Sequence, residues 1–289
     1  MVQSQGDLTD KIVVVTGAAR GMGKAYAEGF MAKGAKVVAT DVSWSGSEEL
    51  KSQVEKSGGL STEMDVSKEA AIDKVFDETL AKYGTVDVLI NNAALVTAFL
   101  TPTGKRTLLE TTNQDWHTMM GVNFYGTLNV TRRFIQPMIE KKQGSIINVV
   151  SSGILNYSRG AGFTALRPWS QEMPYQATKA AVAAMSFYLA EEVKPENVAV
   201  NILIPGHSRG AWFDDTMRAR VSEGMHPGNR PVVPEHIVPI ALYLACQDGK
   251  GVTGKMFPVM DWNEEHGYGG YEQWADDSLP SDLEEAYRR

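Results

Sequence analysis

Seven short apolar runs, most of them rich in β-branched residues, recur along this chain, and helix-prone stretches separate them. The runs lie at 11–15, 36–40, 60–64, 86–90, 145–150, 199–203 and 255–259. Between them, helical patterns are expected over 24–33, 48–56, 68–82, the long region 115–141, 174–192 and 235–246. Strands that read as continuous apolar runs are buried on both faces, which is the signature of a parallel sheet. A helix after each strand supplies the crossover that parallel strands need. The expected fold class is therefore α/β: one doubly wound domain, with a mostly parallel seven-stranded sheet and helices on both faces.

No internal repeat or low-complexity linker divides the 289 residues, so residues 1–260 are expected to form one domain. Two stretches break the alternation. Residues 153–173 are rich in Gly, Arg, Ser and aromatics without a period, and read as a long loop of the kind that carries function. Residues 261–289 form an acidic tail that is not an independent domain. It holds nine acidic and two basic residues, while the first 260 carry 26 of each. The whole net charge of −7 thus belongs to the tail. Disordered segments are poor in aromatics, yet Trp262, Tyr268, Tyr271, Trp274 and Tyr287 all fall here. At least part of the tail is expected to pack, with 262–274 at a subunit contact or over a substrate entrance.

The charge balance argues against nucleic acid, which wants a basic face. No apolar run approaches the ~18 residues of a membrane span, and the N-terminus has no signal-peptide pattern. Cys246 is the single cysteine. In the run Ile240-Ala-Leu-Tyr-Leu-Ala-Cys246 it is expected to be a buried structural residue. A reducing, cytoplasmic compartment follows as the expectation. His117, His207, His226, His236 and His266 show no ligand spacing, so no metal site is expected.

Thr16-Gly-Ala-Ala-Arg-Gly-Met-Gly23 lies directly between the first strand and the first helix. Gly17 permits the tight turn, and Gly21 and Gly23, flanking Met22, let backbone approach a pyrophosphate at the positive helix N-terminus. Such spacing is weak alone, but its strand–turn–helix setting points to a dinucleotide. Asp41 ends the second strand, 24 positions after Gly17. A carboxylate there accepts both hydroxyls of an adenosine ribose and repels a 2′-phosphate, which favours NAD. The plain alternative is a helix N-cap. Arg20 pulls the other way, because a guanidinium beside the ribose would meet the 2′-phosphate of NADP.

In Tyr175-Gln-Ala-Thr-Lys179, the i, i+4 spacing puts two side chains on one helix face. An ammonium beside a phenol stabilises phenolate, making a general base for an alcohol proton. Taken alone, such a pair is more often a solvated helix face.

As an ordered set, these pieces resemble the short-chain dehydrogenase/reductase family. They are the glycine pattern, Asn91-Asn92-Ala93-Ala94 after a strand, Asn123, Ser151, Tyr175 with Lys179, and Pro205-Gly206. The resemblance runs from about Leu8 to Val259. It implies a Rossmann-type sheet, a nicotinamide cofactor, and a catalytic tetrad of Asn123, Ser151, Tyr175 and Lys179. Tyr175 would transfer the proton and Ser151 would position the substrate oxygen, with Ser152 as the alternative serine. Lys179 would bind the nicotinamide ribose and lower the Tyr175 pKa, and Asn123 would anchor a water in the proton relay. Asp65 and Val66 would contact the adenine, Asn91 would stabilise the central sheet, and Asn92 and Ala93 would flank the cofactor.

Three departures stand out. Ala94 replaces the usual Gly. Gly210 stands where similar proteins often carry a Thr that holds the carboxamide, leaving Ser208 or backbone after Pro205-Gly206 to do so. Ser151 and Tyr175 are 24 apart, nearly twice what the resemblance implies, and the surplus falls in the 153–173 loop. Trp212, Phe213, Met217 and Met225 read equally well as an apolar pocket or a packed helix face. The expected function is an NAD-dependent oxidoreductase that interconverts a small-molecule secondary alcohol, cyclic or aromatic, and its ketone. The alternatives are an NADP-preferring carbonyl reductase and a non-catalytic dinucleotide-binding protein. A homo-oligomer, dimer or tetramer, is expected.

Overall fold

The computed structural model describes residues 7–154, 171–225 and 227–288. The sheet begins with β1 (Ile12–Thr16), α1 (Gly21–Met31), β2 (Lys36–Asp41), α2 (Glu48–Lys56), β3 (Leu60–Glu63), α3 (Glu69–Tyr83) and β4 (Val88–Asn91). It continues through α4 (Asn113–Met120), α5 (Thr127–Phe134), α6 (Gln136–Glu140), β5 (Gly144–Val149), α7 (Tyr175–Val193) and β6 (Val198–Ile204). The last elements are α8 (Phe213–Ser222), α9 (Val238–Ala245), β7 (Met256–Pro258), α10 (Val259–Glu265) and α11 (Ser281–Arg288).

The strands lie in the order β3-β2-β1-β4-β5-β6-β7, every pair parallel. This is the expected doubly wound sheet. Because side chains alternate across a strand, β1 feeds two cores. Val13 and Val15 pack with Tyr26 and Phe30 of α1 and Ile240 and Leu244 of α9. Ile12 and Val14 pack on the other face with Phe76, Phe134 and Met138. The order reverses between β1 and β4, which opens a crevice at their C-terminal ends.

Several expectations need correction. Region 115–141 is not one helix: α4 runs into a π-helical stretch, Gly121–Gly126, before α5 and α6. Two glycines and then Pro137, which lacks an N–H, interrupt a pattern whose apolar spacing reads as continuous. Cys246 is exposed rather than buried, because it caps the end of α9, beyond the buried Leu244. Trp262 is 6% exposed in the chain's own core, stacked on His266 at 4.1 Å and on Tyr268 at 5.6 Å.

α10 and α11 are not legible as helices in the sequence, and α8 is only one of two readings there. Phe213 and Met217, one turn apart on α8, are buried against Leu283 of α11, with Leu279 and Tyr287 beside them. Those two make a packed helix face, whereas Trp212 stays 50% exposed. The boundary drawn at residue 260 falls inside α10. Residues 155–170 of the long loop, and His226, lie outside the described residues.

Candidate active site

Gly17 and Gly21 both take positive φ, +66° and +53°, a conformation that L side chains rarely adopt. A Cβ on Gly23 would lie 1.8 Å from the Gly17 carbonyl oxygen, so this loop closes only without a side chain there. α1 starts at Gly21, leaving its first N–H groups directed into the crevice. Thr16 locks the loop to the end of β4: its hydroxyl accepts the Asn92 and Ala93 N–H groups, each at 3.0 Å. Asn92 returns two bonds, to the carbonyls of Thr16 (3.0 Å) and Gly17 (3.1 Å).

Asp41 is buried at the end of β2. Its oxygens accept the Ala19 N–H at 2.9 Å and the Val42 N–H at 2.8 Å. Since α2 begins only at Glu48, Asp41 is not its N-cap. Arg20 is exposed, lines a cleft with Gly21, Arg209 and Gly210, and forms no ion pair among the described residues. Asp65 accepts the Ser67 N–H and hydroxyl, shaping the turn after β3. Val66 packs on Gly126, where a Cβ would lie 2.8 Å from Val66 Cγ2.

Beyond β6, the N–H of Gly206 next to Pro205 donates to His236 Nε2 at 3.0 Å. His236 Nδ1 lies 2.7 Å from the Val233 carbonyl, so the proton sits on Nδ1 and the ring is neutral. Burial pulls its pKa down to about 4. The Ser208 hydroxyl is buried and unpartnered. An orphaned hydroxyl is costly, and one here suits an incoming amide.

The tetrad residues converge on the N-terminal turn of α7. Tyr175 is half-buried, and of the two serines Ser151 is the one that acts on its hydroxyl. Lys179 is 4% exposed, donates to the Val149 carbonyl at 2.9 Å, and stands 5.8 Å from the Tyr175 ring centroid. Desolvation pulls its pKa down to about 8. Burial and the Glu172 carboxylate raise the Tyr175 pKa, against the opposing influence of Ser151. Asn123 sits in the π-helical stretch, fully buried. Its oxygen accepts Leu95 N–H at 2.8 Å, and its amide donates to Leu95 O at 2.9 Å and Thr178 Oγ1 at 3.0 Å. It thus ties the strand-end loop to α7.

Asn91 donates to Asn148 at 2.8 Å and Thr131 at 2.9 Å, and Asn148 donates to Ser186 at 2.8 Å, a buried polar ladder across β4, β5 and α7. Thr16, Thr178, Asn148 and His236 were not singled out from the sequence. Each acts through a partner at least 30 residues away, and only the i−3 bonds of Thr178 to the Tyr175 carbonyl and of His236 to the Val233 carbonyl are local.

The glycine cradle, the free N–H groups of α1 and the orphaned Ser208 hydroxyl fit a nicotinamide dinucleotide. A family model for short chain dehydrogenases matches residues 11–219. The chain belongs to the short-chain dehydrogenase/reductase family. As a member of it, the protein is an oxidoreductase of the alcohol dehydrogenase/ketone reductase type and binds a nicotinamide dinucleotide. Among short-chain dehydrogenases, it is 50% identical to fluoren-9-ol dehydrogenase of Terrabacter sp. (strain DBF63) over 287 residues, 99% of this chain and 80% of that one. It is 29% identical to meso-2,3-butanediol dehydrogenase of Serratia marcescens over 254 residues, covering 86% and 93%. The fold is that of levodione reductase: TM-score 0.71, 24% identity, 87% of this chain and 96% of that one. No helix among the described residues is long and apolar enough to cross a membrane.

Proposed function

We propose that this protein oxidises a cyclic or aromatic secondary alcohol to its ketone with NAD, using Tyr175 as the general base. The observation that carries the reading is the convergence of Tyr175, with Ser151 acting on its hydroxyl, and Lys179 behind its ring at the start of α7. Two neighbouring hydroxyls can together hold a substrate oxygen, and such positioned groups contribute about 10²–10⁴-fold. Ser151 holds the carbinol oxygen, and Tyr175 takes its proton. The bound nicotinamide supplies the hydride acceptor.

Lys179 orients the nicotinamide ribose, and Asn123 fixes the backbone on both sides of the site. Gly17, Gly21, Met22, Gly23, Asn92 and Ala93 form the phosphate and ribose cradle, Asp65 and Val66 border the adenine, and Pro205, Gly206 and Ser208 hold the carboxamide. Asp41 supports NAD, because its buried carboxylate faces any 2′-phosphate with like charge. Arg20 supports the second reading, an NADP-linked reductase. Conversion of an aromatic secondary alcohol is supported by the 50% identity to a protein named for fluoren-9-ol. A small-molecule substrate, a soluble cytoplasmic setting and a homo-oligomer belong to the same reading.

The test is turnover with NAD and a panel of tricyclic, monocyclic and acyclic secondary alcohols, alongside Tyr175→Phe. Ketone formation with the tricyclic alcohols, abolished in Tyr175→Phe, is expected. Undiminished turnover in Tyr175→Phe would overturn the proton-transfer role, and tighter binding of NADPH than NADH would overturn the NAD assignment.

A further inference from the structure

The acidic C-terminal segment is joined to the wall of the dinucleotide cleft by backbone and by charge. Ser208 bridges Val232 in parallel, and Val232 bridges Ala275 antiparallel, so the tail supplies the third rung of a small ladder. The Val233 N–H donates to the Trp274 carbonyl, and the Asp276 N–H to the Pro231 carbonyl, both at 2.9 Å. Arg209, the residue after Ser208, is a three-way clasp. Its fork binds Asp214 on α8 at 2.8 and 2.6 Å. Its remaining nitrogen donates to the Ser278 carbonyl and hydroxyl, both at 3.0 Å, and lies 3.6 Å from the Asp276 carboxylate.

Asp276 is itself a built group rather than a loose tail acid. It is 4% exposed, and one oxygen accepts the Ser278 N–H at 2.9 Å and the Ser278 hydroxyl at 2.6 Å. Gly210, the residue after Arg209, stands across from the glycine loop: a Cβ on Gly21 would sit 3.8 Å from the Gly210 Cα. Together Arg20, Gly21, Arg209, Gly210 and Asp276 line one cleft of ≈ 550 Å³ at the N-terminus of α1. Two carboxylates already claim the Arg209 charge, so Arg209 acts as a strut and Arg20 is the cation left facing an anionic ligand.

We infer that the C-terminal segment is part of the cofactor site, with Asp276 and Ser278 as positioning residues that hold Arg209 and the Ser208–Gly210 wall over the glycine loop and so retain the dinucleotide. This rests on the dinucleotide reading of that loop. The apolar contact of Leu283 with Phe213 and Met217 and the pair Arg218–Asp282 (2.7 Å) extend the same strap along α8, and the pair Arg230–Glu284 (3.0 Å) ties α11 to the segment after it.

The experiment is NADH binding to the full-length protein by fluorescence titration, with hydrogen exchange read over residues 208–222. Asp276→Asn is expected to weaken NADH about tenfold, a coupling of ordinary size. Its 208–222 segment should exchange faster without NADH and regain protection with it. Asp276→Glu, which keeps the charge, should recover part of the affinity. Ser278→Ala leaves the buried ion pair in place and should weaken NADH about threefold, so the inference stays testable if Asp276→Asn does not fold. NADH affinity and exchange equal to the wild type in folded variants would overturn the inference alone. A wild-type protein that binds neither NADH nor NADPH would overturn it together with the dinucleotide reading.

Discussion

Tyr175 and His236 show how burial sets the charge state that each residue contributes. Burial and the Glu172 carboxylate both disfavour the Tyr175 phenolate, yet alcohol oxidation requires the deprotonated base. The oxidation rate is therefore expected to keep rising above about pH 8, while ketone reduction, which uses the protonated phenol, stays level over the same range. A pH profile of kcat/KM in both directions checks this, and an oxidation plateau at neutral pH would contradict it. His236 has the opposite sign. Its folded pKa lies below the unfolded value of about 6.5, so the neutral ring stabilises the fold fully above pH 6.5. That contribution is lost as pH falls toward 4, up to about 3 kcal/mol. His236→Asn should lose less stability than wild type between these pH values in denaturant titrations. Carboxylates with lowered pKa, such as Asp87, lose stability in the same direction in both proteins and cancel in the comparison.

Two elements depend on single contacts. The turn into α1 has no room for a methyl group at Gly23, since the Gly17 carbonyl would have to move. Gly23→Ala is expected to abolish measurable NADH affinity and lower the melting temperature, and unchanged NADH binding would contradict the cradle. α8 and α11 are short and highly charged, and such helices are marginal alone. Leu283, 1% exposed between them, does what propensity does not. Leu283→Ala should cost about 2–4 kcal/mol of unfolding free energy by denaturant titration, provided the two helices unfold with the domain.

The whole molecule carries a consequence on its outer face. Tyr188 on α7 is 82% exposed and Tyr125, in the π-helical stretch packed against that helix, is 53% exposed. Exposed aromatics on adjoining elements mark an association surface. Sedimentation equilibrium is expected to give a multiple of the 31.6 kDa chain mass. Tyr188→Glu should lower it, and a wild-type monomer at micromolar concentration would contradict this.

Residue order alone was enough for the parallel sheet, the glycine turn and the spacing of Tyr175 and Lys179. Each of those is written in local periodicity: apolar runs, residues that permit positive φ, or one helical turn. The breaks inside 115–141, the exposure of Cys246 and the burial of Trp262 were not legible, because they depend on what each segment meets across the fold. The same holds for His236 beneath Gly206, and for Thr16 locking the ends of β1 and β4 together. The tail marks the division most clearly. Its acidity and aromatics were plain from composition, but only the tertiary structure set Asp276 against Arg209, 67 positions earlier, where a buried carboxylate finds its cation. Periodicity is a property of neighbours along the chain, whereas burial and charge pairing are properties of neighbours in space.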